Sequence, residues 1–373
     1  MSKKTEQPLQ TTAWRYTKAQ RLFALVGALL CLLVGSTLIT GGVYVSSLLG
    51  MIAYDDGPND YADVPVLPGD VDDGSVTNVI EDPKPVDIRH IELRGDTDAV
   101  TNVMLLGVDG RQADGYAARS DTNMILSINT ETETIKLVSL MRDLWVTVPS
   151  LDLDDDGYAD HAKLNAAFYY GGFPLLSETL EENFKLSVKR YVAVDFAAFE
   201  KAVDALGGVD IALSQEEAAF IPKTSDDPDA FATPDHPELE PLGNKAGVYH
   251  LNGQQALAYC RIRDLYEDSD FDRQSNQRTV INELIKKAKT LHFAALTNAL
   301  STVLPYVQTN FSKQELLSLA ARAVRYASYT IETDRSVPSS DGGYEDAWIG
   351  DGLGLWLTDP EQTTLDLHRY LYS

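Results

Sequence analysis

The sequence predicts an α/β domain, with a mixed central β-sheet flanked by helices on both faces, carried behind an N-terminal transmembrane helix. Three observations predict it. From Thr101 onward, apolar runs of strand character alternate with amphipathic helical patterns. Of the 373 residues, 44% are hydrophobic, enough to bury a sizeable core. Finally, the stretch 22–54, "LFALVGALLCLLVGSTLITGGVYVSSLLGMIAY", contains no charged residue, and a spanning helix needs only about 20 apolar residues.

Residues 1–21 carry Lys3, Lys4, Arg15, Lys18 and Arg21, whereas Asp55 and Asp56 follow the apolar run. The excess of basic residues on the N-terminal side places residues 1–21 in the cytoplasm and everything after the span outside. The expectation is a single-pass type II protein of the cell membrane with an extracytoplasmic domain. A cleaved signal peptide fits less well, since its apolar core is shorter and ends at a small-residue cleavage site. Residues 55–87 are rich in Asp, Pro and Gly without helical or strand period, and read as an extended linker.

One domain is expected over 88–373. "TNVMLLGVDG" reads as a buried strand ending in Gly and Asp. "TNMILSINTETETIKLVSLM" reads as a hairpin, two apolar runs around a polar turn. "YVAVDFAAFEKAVDALGGVDIAL" predicts strand, helix and strand, with Gly207 and Gly208 ending the helix. The proline-rich, acidic stretch 214–247 reads as a surface insertion. "HLNGQQALAYCRIR" predicts a helix running into a strand that holds Cys260, Arg261 and Arg263. "DFDRQSNQRTVINELIKKAKTL" and "KQELLSLAARAVRYASY" predict helices, the first with Asp270 to Arg273 in its opening turn.

A formal net charge of −25 argues against a nucleic-acid partner, because phosphate-backbone binding draws on a basic surface. Any anion must be held by a local basic cluster working against the overall field. The two cysteines, Cys31 in the apolar run and Cys260, suggest neither a disulfide framework nor a zinc site.

Such a basic cluster is present. Arg261 and Arg263, two apart on a strand, would leave the same face. Arg273 and Gln277, four apart on a helix, would also share a face. A helix N-terminus beside them favours phosphate. The bland alternative is an ordinary surface network in which Asp264, Glu267, Asp268, Asp270 and Asp272 neutralise these arginines. Elsewhere, Asp109 ends one predicted strand, Arg119 and Asp121 begin the next, Arg142 and Asp143 follow a third, and Lys163 and Asn165 lie in "HAKLNAAF". Ligands of open α/β sheets collect where strands end. Two carboxylates beside arginines make sense with Mg2+ between them and a phosphate, since magnesium takes few protein oxygens.

The ordered motifs "LLGVDGR", "RSDTNMIL", "SLMRD", "KLNAAF", "VDALGGVDI", "HLNGQQALAYCRIR" and "DFDRQSNQ" resemble those of the LytR-CpsA-Psr family of cell-wall proteins over 88–290, with a weaker tail beyond. The resemblance implies an extracytoplasmic, magnesium-assisted phosphotransferase that moves a glycopolymer from a polyprenyl pyrophosphate carrier onto peptidoglycan through a phosphodiester. Carried over, Asp109 and Asp121 would hold the metal. Arg119, Arg142, Arg261, Arg263, Arg273 and Gln277 would clamp the pyrophosphate, with Lys163 and Asn165 matching the family's lysine-bearing motif. The catalytic set is then Asp121, Asp270, Arg142 and Arg273, with either Asp121 or Asp270 as the base for the attacking sugar hydroxyl. Two departures stand out: Asn276 occupies a position often held by a second arginine, and "SLMRD" lacks the family's proline.

A polyprenyl tail needs an apolar groove beside this charge. Candidate lining comes from "FYYGGFPLL" and from the apolar faces of helices at 196–206 and 277–299. Two other readings of the same residues are a pyrophosphatase acting on the same lipid-linked glycan and a non-catalytic lipid- or glycan-binding regulator. The acidic run 152–163 resembles the start of a calcium loop, but Lys163 stands where the bidentate glutamate belongs. No nucleophile elbow or Walker loop is found.

Overall fold

Among the residues that the computed structural model describes, runs rich in aliphatic and β-branched residues build thirteen strands, and the helical patterns between them build eight α-helices of more than one turn. The model describes residues 46–54, 99–109, 119–151, 161–223, 240–263, 265–266, 269–291, 293–340, 342–349 and 352–373. It divides into two units, Met1–Gly50 and Met51–Ser373. Within the first, residues 46–49 form one helical turn. No helix among the described residues is long and apolar enough to cross a membrane. Most of the predicted span (22–45), the whole linker (55–87), most of the calcium-like run (152–160), and Asp264, Glu267 and Asp268 of the alternative surface network lie outside the described residues.

In the second unit the strands in chain order are β1 Ala53–Tyr54, β2 Val100–Asp109, β3 Arg119–Asn129, β4 Thr134–Leu140, β5 Trp145–Thr147, β6 His161–Lys163 and β7 Arg190–Asp195. They continue with β8 Val209–Leu213, β9 Gly247–Leu251, β10 Val307–Thr309, β11 Thr330–Val337, β12 Tyr344–Ile349 and β13 Gly352–Leu357. The helices are α1 Leu164–Phe184, α2 Phe196–Ala205, α3 Gln215–Phe220, α4 Gly253–Arg261, α5 Ser269–Thr290, α6 Phe293–Val303, α7 Lys313–Tyr326 and α8 Pro360–Leu371. Seven strands form one sheet in the order β1-β10-β7-β2-β3-β4-β11. It is mixed: β2 pairs β3 antiparallel but β7 parallel, and β4 pairs β11 parallel.

Alternation along the strands sends residues to two different cores. Met104, Leu106, Val108, Ile125, Val138 and Leu140 pack on one face with Leu164, Phe173, Leu176 and Leu180 of α1 and Leu367 and Leu371 of α8. The opposite face presents Leu105, Gly107, Thr122, Met124, Val192 and Val194 to α2, α4 and α5. Helices thus cover both faces, as expected. The predicted hairpin is β3–β4, and the strand–helix–strand is β7–α2–β8. Gly207 and Gly208 at positive φ follow the α2 C-cap, conformations that a glycine adopts without cost.

One expected strand is a helix. Cys260 and Arg261 belong to α4, which starts from a capping box in which Asn252 and Gln255 each bond the other's backbone N–H. Ala256, Leu257, Tyr259 and Cys260 are buried at helical spacing. A short apolar run of this kind cannot be assigned by periodicity alone, and the cap upstream decides it. Arg263 lies beyond the C-cap residue Ile262, in the chain leading to α5. The insertion 214–247 includes α3, a short helix with its own Ser214–Glu217 capping box.

Helices α2 and α4 meet at Gly253, whose N–H donates to Asp204 Oδ1 at 2.7 Å. A Cβ there would sit 2.3 Å from the Glu200 carbonyl oxygen. Gly253→Ala should therefore push the helices apart and cost about 1–3 kcal/mol, read as a lowered midpoint in denaturant unfolding; an unchanged midpoint would refute this packing.

Candidate active site

The face of the sheet opposite the α1 core opens into a cavity of about 410 Å³. Its floor is Leu105, Gly107, Met124, Val192 and Val194, and its roof includes Phe196 and Phe199 of α2, Leu257 and Cys260 of α4, and Ile281 and Leu284 of α5. Asp121, Arg142, Arg261, Arg263, Arg273 and Gln277 complete the lining. Apolar walls ending in polar groups are the ordinary make-up of a small-molecule site.

Each charged residue arrives by a definite local route. Gly107 pairs with Thr122 but Val108 pairs with Ser120, so Asp121 is the extra residue of a β-bulge in β3. A bulge re-aims a side chain and removes it from the ladder, and here it delivers Asp121 to the cavity beside Thr122. Arg142 follows β4 on a segment whose backbone is tied to several elements. The Met141 N–H donates to Val337, the Asn165 N–H to Arg142, the Leu164 N–H to Leu144 and the Leu355 N–H to Asp143, all at 2.8–3.1 Å.

Side chains then lock Arg142. Its Nη1 donates to Asp121 Oδ1 at 2.6 Å and its Nε to Asp143 Oδ2 at 3.1 Å, while Lys163 Nζ donates to Asp143 Oδ1 at 2.9 Å. Burial alone would raise the Asp143 carboxyl, but Arg142 and Lys163 outweigh it and hold it below the usual carboxylate range. Burial likewise disfavours the Arg142 cation, yet Asp143, Asp121 and Asp270 raise its pKa above the usual arginine value. Lys163, predicted as a pyrophosphate ligand, is not among the cavity-lining residues. It reaches Asp143 and so acts through that carboxylate on Arg142.

Arg273 is in the opposite situation. It is 5% exposed, and Asp270 Oδ1 lies 3.3 Å from its Nη2 and 3.1 Å from Arg263 Nη2. The approach to Arg273 is close enough for attraction but too poorly aligned for a hydrogen bond, so Arg273 Nε and Nη2 and Asp270 Oδ1 are buried without hydrogen-bond partners. Burial, with Arg142 and Arg263 nearby, pulls the Arg273 pKa down to about 10. A depressed base is a destabilising charge, and its penalty persists through the neutral range, relaxing only as pH rises past about 10. Arg261 stacks over Phe196, 4.8 Å from the ring centroid, which keeps its guanidinium at the apolar margin.

The remaining expected residues divide. Gln277 lines the cavity and donates to the Cys260 carbonyl at 3.5 Å. Arg119 opens β3 opposite Asp109 but is not a lining residue. Asp109 closes β2, and its side chain lies outside what is described. Asp270 touches the arginines and not the cavity itself. Asn276, at the position the family often gives to a second arginine, is buried and donates to the Tyr259 carbonyl at 3.1 Å and to the Tyr266 hydroxyl at 2.8 Å, bracing α5 against the end of α4. Its neighbour Arg278, unforeseen, is buried on Ser139 Oγ at 2.8 Å.

The proposed apolar lining is half corrected. Residues of α2 and α5 do line the cavity, but Tyr169, Tyr170, Phe173, Leu175 and Leu176 of "FYYGGFPLL" belong to the core on the other side of the sheet. Core and groove use the same residue types, so composition did not separate them. The sheet-side lining was missed, although Gly107 signalled it: a Cβ there would come within 2.9 Å of Thr122.

A buried guanidinium whose carboxylate is misaligned and shared with a second arginine costs stability that an anion would restore. Arg273→Met should raise the stability of the ligand-free protein by about 1–3 kcal/mol and abolish stabilisation by added inorganic pyrophosphate. Thermal unfolding with and without pyrophosphate reads both effects, and a destabilised variant that still responds to pyrophosphate would contradict the assignment.

The LytR_cpsA_psr family model matches residues 72–357. The chain is 28% identical over 269 residues to the polyisoprenyl-teichoic acid–peptidoglycan teichoic acid transferase TagV of Bacillus subtilis (strain 168), covering 72% of this chain and 62% of that protein. It is 33% identical over 237 residues to the transferase TagU of Oceanobacillus iheyensis, covering 61% and 64%. It thus spans a little under two thirds of the length of these relatives. Among solved structures, a protein from Streptococcus agalactiae matches with a TM-score of 0.58 at 26% identity, over 73% of this chain and 86% of that one. Bacillus subtilis TagV matches with a TM-score of 0.55 at 24% identity, over 74% and 99%. With the motifs in order, the family model over most of the chain and the same fold in its relatives, this protein belongs to the LytR_cpsA_psr family.

Proposed function

We propose that the protein is a membrane-anchored, extracytoplasmic phosphotransferase that moves a glycopolymer from a polyprenyl pyrophosphate carrier to peptidoglycan, leaving a phosphodiester. The observation that carries this reading is the meeting of Arg142, Arg261, Arg263 and Arg273 at one apolar cavity. A pyrophosphate satisfies the guanidiniums, and the prenyl chain suits the apolar walls. The relatives' names, which specify polyisoprenyl-linked teichoic acid and peptidoglycan, support the same substrate class.

Phosphoryl transfer asks a protein mainly for alignment and charge stabilisation. Arg142, held by two carboxylates, is a fixed fork for one phosphate. Arg273, with Nε and Nη2 lacking hydrogen-bond partners, and Arg263 beside it gain hydrogen bonds as charge builds on the departing prenyl phosphate. Asp121, which lines the cavity, takes the proton of the attacking glycan hydroxyl, while Asp270, outside the lining, holds Arg263 and Arg273 in place. Phe196, under Arg261, keeps water from the apolar side of the leaving group.

Asp121 also suits a divalent cation. The bulge frees it from the ladder, and magnesium is held by one or two carboxylates with phosphate oxygens completing its shell. Asp121 and Asp109 would hold Mg2+, which supplies Lewis-acid neutralisation of the phosphate oxygens.

Purified full-length protein, a labelled polyprenyl-pyrophosphate-linked glycan and peptidoglycan test the proposal. The expected product is polymer covalently joined to peptidoglycan, reduced at least about 100-fold by Asp121→Ala. Release of phosphorylated glycan to water alone would make the protein a pyrophosphatase. Lipid binding without turnover, insensitive to Asp121→Ala, would make it a binding protein.

A further inference from the structure

The strand β1, Ala53–Tyr54, belongs to the uncharged run read as membrane-spanning, yet it is an edge strand of the main sheet. It pairs parallel to β10 with Ala53 opposite Gln308 and Tyr54 opposite Thr309. A span needs about 20 residues, so about ten residues at most separate its end from β1, a reach of roughly 35 Å even when fully extended. Had residues 55–87 been the only connection, the reach would be roughly 110 Å. The chain between Tyr54 and Val100 instead begins and ends on one sheet, since β1 and β2 are separated only by β10 and β7.

The surface around β1 has a distinctive composition. Among the described residues, the exposed large hydrophobics are Met51, Val248, Leu265, Leu300, Tyr306 and Leu317. Four of the six lie just before β1 or on the elements that flank its partner β10 in the chain. Met51 precedes it, Leu300 and Tyr306 lie on α6 and the 3-10 turn that leads into β10, and Leu317 is on α7 just after β10. Lysines accompany them in a strongly acidic protein. Lys313 Nζ lies 5.6 Å from the centroid of the Tyr54 ring and, four residues before Leu317, shares its helix face. Lys201 Nζ lies 4.3 Å from the centroid of the Tyr306 ring. Tyrosines and lysines with apolar neighbours are the composition of a membrane interface, where rings sit at headgroup level and ammonium groups meet anionic lipid.

We propose that this edge, formed by Met51, Tyr54, Leu300, Tyr306, Lys313 and Leu317, rests on the outer surface of the lipid bilayer, so that the domain is docked on the membrane and not suspended from it. The proposal rests on the membrane-anchored reading above. Its consequence is functional: Lys201 is on α2, the helix whose Phe196, Phe199 and Ala202 roof the cavity, so docking sets that roof beside the lipid and shortens the path of a prenyl chain from bilayer to site.

The test uses the full-length chain in vesicles containing anionic lipid. Leu300, Tyr306, Leu317 and, as a control, Val248 are replaced singly by Cys and labelled with an environment-sensitive fluorophore. Val248 is apolar and 73% exposed, on the separate β8–β9 sheet. Labels at 300, 306 and 317 should be quenched several-fold more by brominated lipid than by aqueous iodide, and the label at 248 the reverse. Four labels equally open to iodide, in protein that resists alkaline carbonate extraction, would overturn docking while leaving the anchor standing. Protein released by carbonate would remove the anchor and docking with it.

Discussion

Among the described residues, positive charge at the end of an apolar cavity exceeds the negative charge beside it, and that imbalance is the constraint around which this structure is arranged. Four guanidiniums line one space, and the described carboxylates near them are already committed. Asp121 and Asp143 go to Arg142, and Asp270 is divided between Arg263 and Arg273. Arg273 is left buried with two nitrogens unsatisfied. Folding tolerates that cost because the same arrangement, once an anion enters, becomes a set of charge-assisted hydrogen bonds in a low-dielectric setting.

The fold produces this imbalance by assigning different tasks to similar residues. Asp143 and Lys163 never reach the cavity, yet they fix the plane and position of Arg142 through a backbone segment tied to β11, α1 and β13. Asn276 and Arg278, one residue to either side of Gln277, brace α5 against α4 and β4. Rigid support on the outside and unsatisfied charge on the inside is the division of labour that electrostatic preorganisation requires.

Much of this was legible in the sequence, and the failures have physical causes. The β3–β4 hairpin showed itself by alternation and the end of α2 by paired glycines. The charged residues were legible as types at strand and helix ends, so most of the set was recoverable even though Arg261 closes a helix and is not on a strand. The bulge at Asp121 was not legible, because a bulge is a property of register between two strands. Neither was β1, since an edge strand at the end of an apolar run has no pattern to separate it from a spanning helix. The side of the sheet taken by "FYYGGFPLL" was hidden because a core and a lipid groove share one composition.

The most direct test is a high-resolution structure of the protein purified from membranes with a polyprenyl phosphate bound. The phosphate is expected among Arg142, Arg261, Arg263 and Arg273, with the prenyl chain between the β2–β3–β7 face and helices α2 and α5. A headgroup held elsewhere, or a prenyl chain on the α1 side of the sheet, would contradict this arrangement.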